Sequence, residues 1–205
     1  MKVLVIGANN SGKGTLVRLI ADKTGIRTIG CSSVLKECGQ DIATGKLLPD
    51  NDVIKIMSEY LSDKTDENFI LDGFPRTLKQ DAYMCENLFE PDLLVLIDIS
   101  LEEVISRAVG RRSCEACGDS YNLNGFKIPK VDGVCDSCGG KLYQREDDKE
   151  SVVKARYNEY LQNTYPIVKK YKEKMGKTIV WEFDTSRTTD ELSETVAAYI
   201  NYMLS

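Results

Sequence analysis

The sequence contains no histidine, one tryptophan and five prolines among its 205 residues. Without histidine, a Ser-His-Asp triad, a Cys-His dyad and a histidine-ligated metal site are all excluded. No run approaches the roughly 18–20 apolar residues that a membrane span requires. The apolar run at 3–6 is too short for the core of a secretory signal peptide. We therefore expect a cytoplasmic protein whose chemistry does not use histidine as a proton carrier.

Positive charge is also in deficit, with 27 Lys+Arg against 32 Asp+Glu and a net charge of −5. This balance gives no electrostatic signature for general nucleic-acid binding. The composition, 42% hydrophobic and 29% charged, is ordinary for a folded globular chain. The length suits one domain with a small insertion, and we expect a monomer because no segment suggests an interface.

Short apolar runs rich in β-branched residues alternate with helix-length patterns along most of the chain. This alternation predicts an α/β fold with a doubly wound, mostly parallel, five-stranded sheet. A Thr188-x-x-Glu191 capping box predicts the start of the last helix, and Pro166 is expected to kink the helix at 156–174. The predicted strands lie at 2–6, 28–29, 69–71, 93–99 and 178–183, and other helical patterns lie at 14–23, 52–61 and 101–109.

The first strand leads directly into the segment GANNSGKGT at 7–15, and a helix follows. In this context Gly-x4-Gly-Lys is typical of a phosphate-binding loop, in which backbone N–H groups and a lysine surround the phosphates. The hydroxyl usual after the lysine is supplied one residue later, by Thr15, because Gly14 intervenes. The loop therefore predicts binding of a nucleoside triphosphate, with Lys13 as the charged ligand.

A second buried run, FILDGFPRT at 69–77, ends in Asp72 and continues to Arg76. A carboxylate at the end of a strand beside the phosphates can hold Mg²⁺ through water. Arg76 follows a rigid Gly-Phe-Pro turn, which suits a guanidinium held for bidentate contact with a phosphate.

Further arginines bracket the region 113–144. Phosphoryl transfer to a phosphate acceptor needs no general base, because the acceptor is already an anionic nucleophile. It needs positive charge around two phosphate groups. This chain meets that need without histidine, through Lys13, Asp72 with Mg²⁺, and Arg107, Arg111, Arg112, Arg145 and Arg156.

The region 113–144 has no helical period and contains two Cys-x2-Cys pairs, 17 residues apart. Such spacing favours a four-cysteine zinc site that folds the insertion and, with every position filled by a thiolate, is structural. A zinc ribbon that reads nucleic acid is the competing interpretation, but the three lysines and four acidic residues here form no basic patch. The expected ligands are Cys114, Cys117, Cys135 and Cys138. Cys31, Cys38 and Cys85 are expected in or near the core as inert residues.

These motifs together resemble the adenylate kinase family, of the type with a zinc-binding lid, over nearly the whole chain. The resembling segments are the loop ending Gly-Lys-Gly-Thr, the run from Asp72 to Gln80 (DGFPRTLKQ), the lid edges at 107–112 and 142–148, and the stretch from Arg156 to Pro166.

The resemblance implies a P-loop kinase that moves the γ-phosphoryl group of MgATP to AMP and reversibly forms two ADP. It implies that Lys13, Arg76, Arg111, Arg145 and Arg156 are catalytic. It implies that ATP is bound by Gly7, Gly12, Lys13, Gly14, Thr15, Arg107 and Arg111, with Arg107 stacked on the base and 183–187 near it. It implies that the monophosphate is bound by Cys31, Lys36, Gly73, Arg76, Gln80, Arg145 and Arg156, with Gln80 at the adenine edge. The corresponding domains are a core at 1–29, 51–112 and 145–205, a monophosphate-binding arm at 30–50 and a zinc lid at 113–144.

The sequence departs from the family pattern in two places. Asn9 and Asn10 stand where Pro-Gly is usual, and asparagine tolerates the left-handed backbone better than other side chains. In the arm, Cys31 and Lys36 replace threonine and arginine, and the segment is roughly ten residues shorter than usual. Lysine offers a point charge in place of a bidentate fork. Another monophosphate, such as UMP or CMP, or an ATP-binding protein without turnover, therefore remains an alternative.

Overall fold

The computed structural model describes residues 1–40, 48–125, 127–174, 176–184 and 188–205. The strands are β1 (Lys2–Gly7), β2 (Arg27–Gly30), β3 (Phe69–Asp72), β4 (Leu93–Ile97), β5 (Arg111–Cys114), β6 (Ser120–Asn122), β7 (Leu142–Tyr143) and β8 (Ile179–Phe183). The α-helices are α1 (Lys13–Thr24), α2 (Cys31–Glu37), α3 (Asp50–Leu61), α4 (Leu78–Asn87), α5 (Leu101–Gly110), α6 (Glu150–Glu159), α7 (Tyr165–Glu173) and α8 (Thr189–Leu204).

The central sheet has the strand order β2-β3-β1-β4-β8, and every neighbouring pair is parallel. The predicted doubly wound, five-stranded α/β fold is therefore confirmed. Strand β1 is buried along its whole length and lies at the centre, paired with β3 on one side and β4 on the other. Ligands of such sheets bind beyond the carboxyl ends of the strands, where β1 leads into the glycine-rich loop.

Alternate residues of β1 face two separate apolar cores. Leu4 and Ile6 belong to the core that also contains α3, α5 and α7. Val3 and Val5 belong to the core on the opposite face, with α1 and α8. Because the side chains of a strand point alternately to its two faces, this double burial requires a continuous apolar strand. It fixes the position of the loop that follows.

The helix expected at 156–174 is present but begins earlier, at Glu150, and its regular geometry is interrupted just before Pro166. Helix α6 ends at Glu159, one wide turn of π-helix covers Tyr160–Thr164, and α7 then begins. The irregularity precedes Pro166, which occupies the second position of α7. Because proline has no N–H, it cannot continue the regular hydrogen-bond ladder, and the turn before it widens. The Thr188–Glu191 capping box is present as predicted.

Two other features differ from the sequence expectations. Helices α2 and α4 were not predicted, because α2 is a short, mixed segment and most of α4 is polar. Cys38 is exposed at the end of α2, so its expected position in or near the core was wrong, whereas Cys31 is buried and Cys85 is half-buried. Residues 41–47 of the expected arm lie outside the described residues.

The cysteine-rich insertion is a small antiparallel sheet with the strand order β6-β5-β7. It is seated on α5, because Leu123 N donates to Gly110 O at 2.8 Å and Asn122 Nδ2 donates to Arg107 O at 2.9 Å. Nowhere in the described parts of the chain is a helix both long and apolar enough to cross a membrane.

Asp81 on α4 is completely buried. Its carboxylate accepts hydrogen bonds from Tyr171 Oη at 2.8 Å and from Lys170 Nζ, and both donors lie on α7. Tyr171 Oη also lies 3.2 Å from Cys85 Sγ. This network joins α4, which follows the Arg76 turn, to the helix that follows the π-turn.

We predict that Asp81→Ala lowers the free energy of unfolding by about 3 kcal/mol, because it leaves the two donors without their acceptor. The expected fall in Tm is roughly 6–12 °C for a chain of this size. Thermal and urea unfolding measure both values. Glu86→Ala on the exposed face of the same helix is the control. An Asp81→Ala protein as stable as this control would contradict the role of the network.

Candidate active site

The glycine-rich loop connects β1 to α1 through two backbone positions with positive φ. Asn10 has φ 63° and Gly12 has φ 99°. Asparagine is the side chain that best tolerates this region, so the loop accommodates Asn10 where the family pattern has glycine. Gly7 is required for a different reason: a Cβ there would lie 2.9 Å from Ile97 O. The loop thus packs closely against β4.

Lys13, at the start of α1, turns its ammonium group back into the loop. Its Nζ donates to Gly7 O at 2.7 Å and to Ala8 O at 2.8 Å. Burial lowers the pKa of Lys13 to about 8; the Asp72 carboxylate opposes this shift, and the Arg76 guanidinium adds to it. An anion in the loop would therefore meet a cation that two carbonyl groups already hold in place.

Arg76 lies beside Lys13 because the turn after β3 folds back on itself. Its Nε donates to Gly73 O at 3.0 Å. Gly73 has φ 81°, and a Cβ there would lie 3.1 Å from Arg76 Nη2 and 3.6 Å from the Cβ of Cys31. Burial raises the pKa of Cys31 to about 11, so its thiol is neutral. Cys31 thus forms an uncharged wall beside the arginine.

Gln80 does not face open space in this structure. Only 2% of the residue is exposed. Its Oε1 accepts from Arg76 N and its Nε2 donates to Asp50 Oδ1, both at 2.8 Å. Its amide group therefore joins the Arg76 turn to the start of α3. Lys36 is exposed on α2 and lines neither of the two cavities described below.

Two of the arginines that bracket the insertion are held by aspartates. Arg111 binds the buried Asp148 through both Nε, at 2.8 Å, and Nη2. Arg156 Nη1 donates to Asp147 Oδ2 at 2.9 Å, whereas its Nε is buried without a hydrogen-bond partner among the described residues. The carboxylates reduce the repulsion between these cations and fix their directions.

A cleft of about 1150 Å³ opens above the loop, and a small cavity of about 40 Å³ lies beside it. Lys13 and Arg76 line both. Among the predicted residues, the cleft is also lined by Gly12, Gly14, Thr15, Asp72, Arg107 and Arg111. The small cavity is also lined by Gly7, Gly73 and Arg156. Arg145 lines neither cavity, and its Nε donates to Ser113 Oγ at 3.0 Å.

Arg107 lies against the loop rather than in open space. Its Nη1 donates to Ser11 O at 2.8 Å and its Nη2 to Glu103 Oε1 at 2.6 Å. Sequence reasoning missed Glu103 as well as Asn122 and Asn124 of the insertion, all of which line the cleft. Asn122 and Asn124 could not be predicted as cleft residues, because no sequence spacing of asparagines is typical of phosphate binding.

The start of α8 also lines the cleft, through Thr188, Thr189 and Asp190. The capping box predicted where α8 begins. Because ligands of a parallel sheet bind beyond the carboxyl ends of its strands, a helix that begins there could have been expected to line the cleft. Of the segment 183–187, residues 185–187 lie outside the described residues.

The four cysteines of the insertion come together at its end, with their sulfur atoms all within 4.8 Å of one another. Cys114 Sγ lies 3.5 Å from Cys138 Sγ, and Cys117 Sγ lies 3.6 Å from Cys135 Sγ. Zinc with Zn–S bonds of about 2.3 Å would place tetrahedral sulfur atoms about 3.8 Å apart. The cluster is therefore compatible with a zinc site.

The two cysteine pairs have the same backbone geometry. Gly118 N donates to Cys114 O at 3.1 Å, and Gly139 N donates to Cys135 O at 2.8 Å. Both glycines have positive φ, 74° and 72° respectively. The tight turns direct backbone N–H groups toward the sulfur atoms. A hydrogen bond from Tyr121 and backbone N–H groups lower the pKa of Cys135 to about 6.

A phosphate-binding loop lies at the centre of a parallel sheet, and a lysine and several arginines surround two adjoining cavities. Together these features define a P-loop phosphotransferase. The model of the adenylate kinase family matches residues 5–176. The adenylate kinase of Archaeoglobus fulgidus is 35% identical over 100% of both chains, and that of Halobacterium salinarum is 34% identical over 97% of this chain and 96% of its own. The adenylate kinase of Thermosipho africanus is 38% identical over 84% of this chain and 88% of its own. The chain belongs to the adenylate kinase family.

The lowered pKa of Lys13 predicts that ATP binding depends on pH. Phosphate groups favour the protonated lysine, so affinity should fall as the pH rises through about 8, where Lys13 loses its proton. The expected loss approaches about tenfold per pH unit above this value. Calorimetric titration with MgATP between pH 7.5 and 9.5 measures it.

Lys13→Arg is the matched control, because arginine stays protonated throughout this range and any residual binding should be independent of pH. Wild-type affinity that stays constant up to pH 9.5 would contradict the assignment of Lys13.

Proposed function

We propose that this chain catalyses the reversible transfer of the γ-phosphoryl group of MgATP to AMP, which forms two ADP. The observation that supports it best is that Lys13 and Arg76 line both the large cleft and the adjoining small cavity. One pair of cations can thus contact the phosphates of two nucleotides. Family membership supports the choice of ATP and AMP.

On the donor side, the triphosphate lies in the glycine-rich loop with Lys13 on its outer phosphates, while the guanidinium of Arg107 contacts the base. Asp72 suits Mg²⁺, because it is a carboxylate on the wall of the cleft and can bind the ion through water. The ion supplies shielding of the negative charge on the phosphate oxygens. The other donor ligands are Gly7, Gly12, Gly14, Thr15 and Arg111.

On the acceptor side, Arg76 holds the phosphate of AMP. Gln80 binds the adenine edge only after its amide exchanges Asp50 and the Arg76 amide for the base. Cys31 and Gly73 form the wall of this site. Its remaining ligands are Lys36, Arg145 and Arg156.

The chemistry is positioning and charge stabilisation. The AMP phosphate is already a nucleophile, so no group on the protein has to remove a proton. Arg111 and Arg156 bind the transferring phosphoryl group through the N–H groups that Asp148 and Asp147 leave free. Closure of a lid at 113–144 over a core at 1–29, 51–112 and 145–205, with an arm at 30–50, excludes water that would otherwise accept the phosphoryl group.

The cysteine cluster holds a structural Zn²⁺ in this account. All four ligand positions are filled by sulfur, so none remains for a substrate. None of the seven cysteines forms a disulfide, which suits the reducing cytoplasm, where we place the enzyme as a monomer.

An acceptor panel tests the function directly. ADP formation from MgATP is measured with AMP, UMP, CMP or GMP, and with ATP alone. We expect a strong preference for AMP, and little hydrolysis in its absence. Preference for another monophosphate would overturn the acceptor, and nucleotide binding without phosphorylation would overturn the catalytic role.

Lys13→Met should lower turnover roughly 100-fold or more, because it removes one charge that stabilises the transferring phosphoryl group. Its far-UV spectrum and Tm should remain close to those of the wild type. Lys23→Met, in the exposed last turn of the same helix, is the control and should retain activity. Near-normal turnover of Lys13→Met would refute the phosphate-loop assignment.

Cys135→Ser should lower both the bound zinc and the Tm, because metal binding contributes folding free energy to the insertion. Metal analysis and thermal unfolding measure the two quantities. Cys38→Ser, at an exposed position outside the cluster, should change neither. Zinc content that is unchanged in Cys135→Ser would refute the four-thiolate site.

A further inference from the structure

A hydroxyl group outside the four cysteines contacts one of their sulfur atoms. Tyr121 Oη lies 3.4 Å from Cys135 Sγ. Tyr121 is on β6, and only 2% of it is exposed. Water therefore does not compete for this hydroxyl from bulk solvent, and its hydrogen bonds are those that the surrounding protein supplies.

The direction of this hydrogen bond follows from the other partner of Tyr121. Asp136 N donates to Tyr121 Oη at 2.8 Å, so the oxygen is an acceptor there. The phenol has one proton, which remains free to point at Cys135 Sγ. The nearby carboxylate of Asp119 accepts from Ser137 Oγ at 2.7 Å, from Ser120 N at 2.9 Å and from Lys127 Nζ. Among the described residues, the hydrogen-bond contacts of Tyr121 Oη are instead those with Asp136 N and Cys135 Sγ.

A cation strengthens this donor. Lys127 Nζ lies 4.7 Å from the centre of the Tyr121 ring. A positive charge over the ring face draws electron density from the phenol and makes its O–H a better donor. Lys127 is itself held by an ion pair with Asp119.

Burial divides the four sulfur ligands into two kinds. Cys117 and Cys138 are exposed, so water can solvate their thiolates. Cys114 and Cys135 are buried. A buried thiolate depends on protein donors to stabilise its charge, and Tyr121 supplies an O–H to Cys135.

We propose that Tyr121 is a positioning residue of the metal site: its hydroxyl donates to the zinc-bound thiolate of Cys135, fixes that ligand and slows loss of the metal. The inference rests on the zinc site of the proposed function. Tyr121 is paired with Arg112 across β5 and β6. This pairing places Tyr121 next to the strand that begins with Arg111.

Tyr121→Phe in the full-length, zinc-loaded protein tests this directly, because it keeps the ring and removes the hydroxyl. Zinc affinity is measured by competition with a chromophoric chelator, and we expect it to fall about 10–100-fold. Tyr143→Phe is the matched control, because this half-exposed tyrosine lies in the same small sheet, and its affinity should stay within twofold of the wild type.

Cobalt replacement separates a thiolate contact from simple packing. Loss of a hydrogen bond raises the energy of the sulfur lone pairs, so the sulfur-to-cobalt charge-transfer bands of Tyr121→Phe should move to longer wavelength. If that variant does not fold, 3-fluorotyrosine at position 121 keeps the fold and gives a more acidic phenol. The bands should then move to shorter wavelength, with zinc retained at least as tightly.

Affinity within twofold of the wild type and unshifted bands in Tyr121→Phe, or unshifted bands with 3-fluorotyrosine, would overturn the inference while leaving the zinc site intact. A wild-type protein that binds no zinc would overturn the zinc site itself, and the role of Tyr121 with it.

Discussion

Repulsion between like charges is the constraint on which this site depends. Lys13, Arg76, Arg111 and Arg156 lie around two adjoining cavities. The protein holds them with oxygen atoms of its own. Carbonyl groups bind Lys13, Asp148 binds Arg111, and Asp147 binds Arg156. The pKa of Lys13 is lowered because its ammonium group is buried and lies near the Arg76 guanidinium, and both effects disfavour the protonated form.

In the proposed mechanism, these internal partners orient the cations before the substrates bind. A guanidinium that is held at one edge still presents its other N–H groups to a phosphate, and its direction is already fixed. The Nε of Arg156, which has no hydrogen-bond partner within the described part of the chain, is an example of such a donor. Binding energy then need not be used to assemble the charges, and more of it remains for stabilising the transferring phosphoryl group.

The parallel sheet and the phosphate loop could be predicted from the sequence because each has a strong local cause. An apolar β1 must be buried on both faces, and the glycine spacing of the loop leaves little choice of backbone. The same holds for the cysteine pairs, whose ligand spacing is itself the signal. The π-turn at Tyr160–Thr164 had no such signal, since a proline inside a charged helical pattern predicts a kink but not its position.

Contacts between distant segments were the least predictable part of the site. Gln80 pairs with Asp50, 30 residues away, and Arg107 pairs with Ser11, 96 residues away. No local sequence pattern around these residues predicts either contact. Both bear on the proposed function, because a nucleotide that binds Gln80 and Arg107 as proposed must replace or extend these protein partners. The departures from the family pattern at Asn10 and Cys31 could also be interpreted only from the structure. The positive φ of Asn10 explains the first, and the burial of Cys31 explains the second.

The most direct measurement is to follow the γ-phosphoryl group in a single turnover. Enzyme in excess over γ-labelled MgATP is mixed with AMP, and the products are separated. We expect the label to appear as the β-phosphate of ADP, at a rate far above its release as inorganic phosphate. Label that is released mainly as inorganic phosphate, or that remains in ATP, would contradict the claim that these cations join two nucleotide sites.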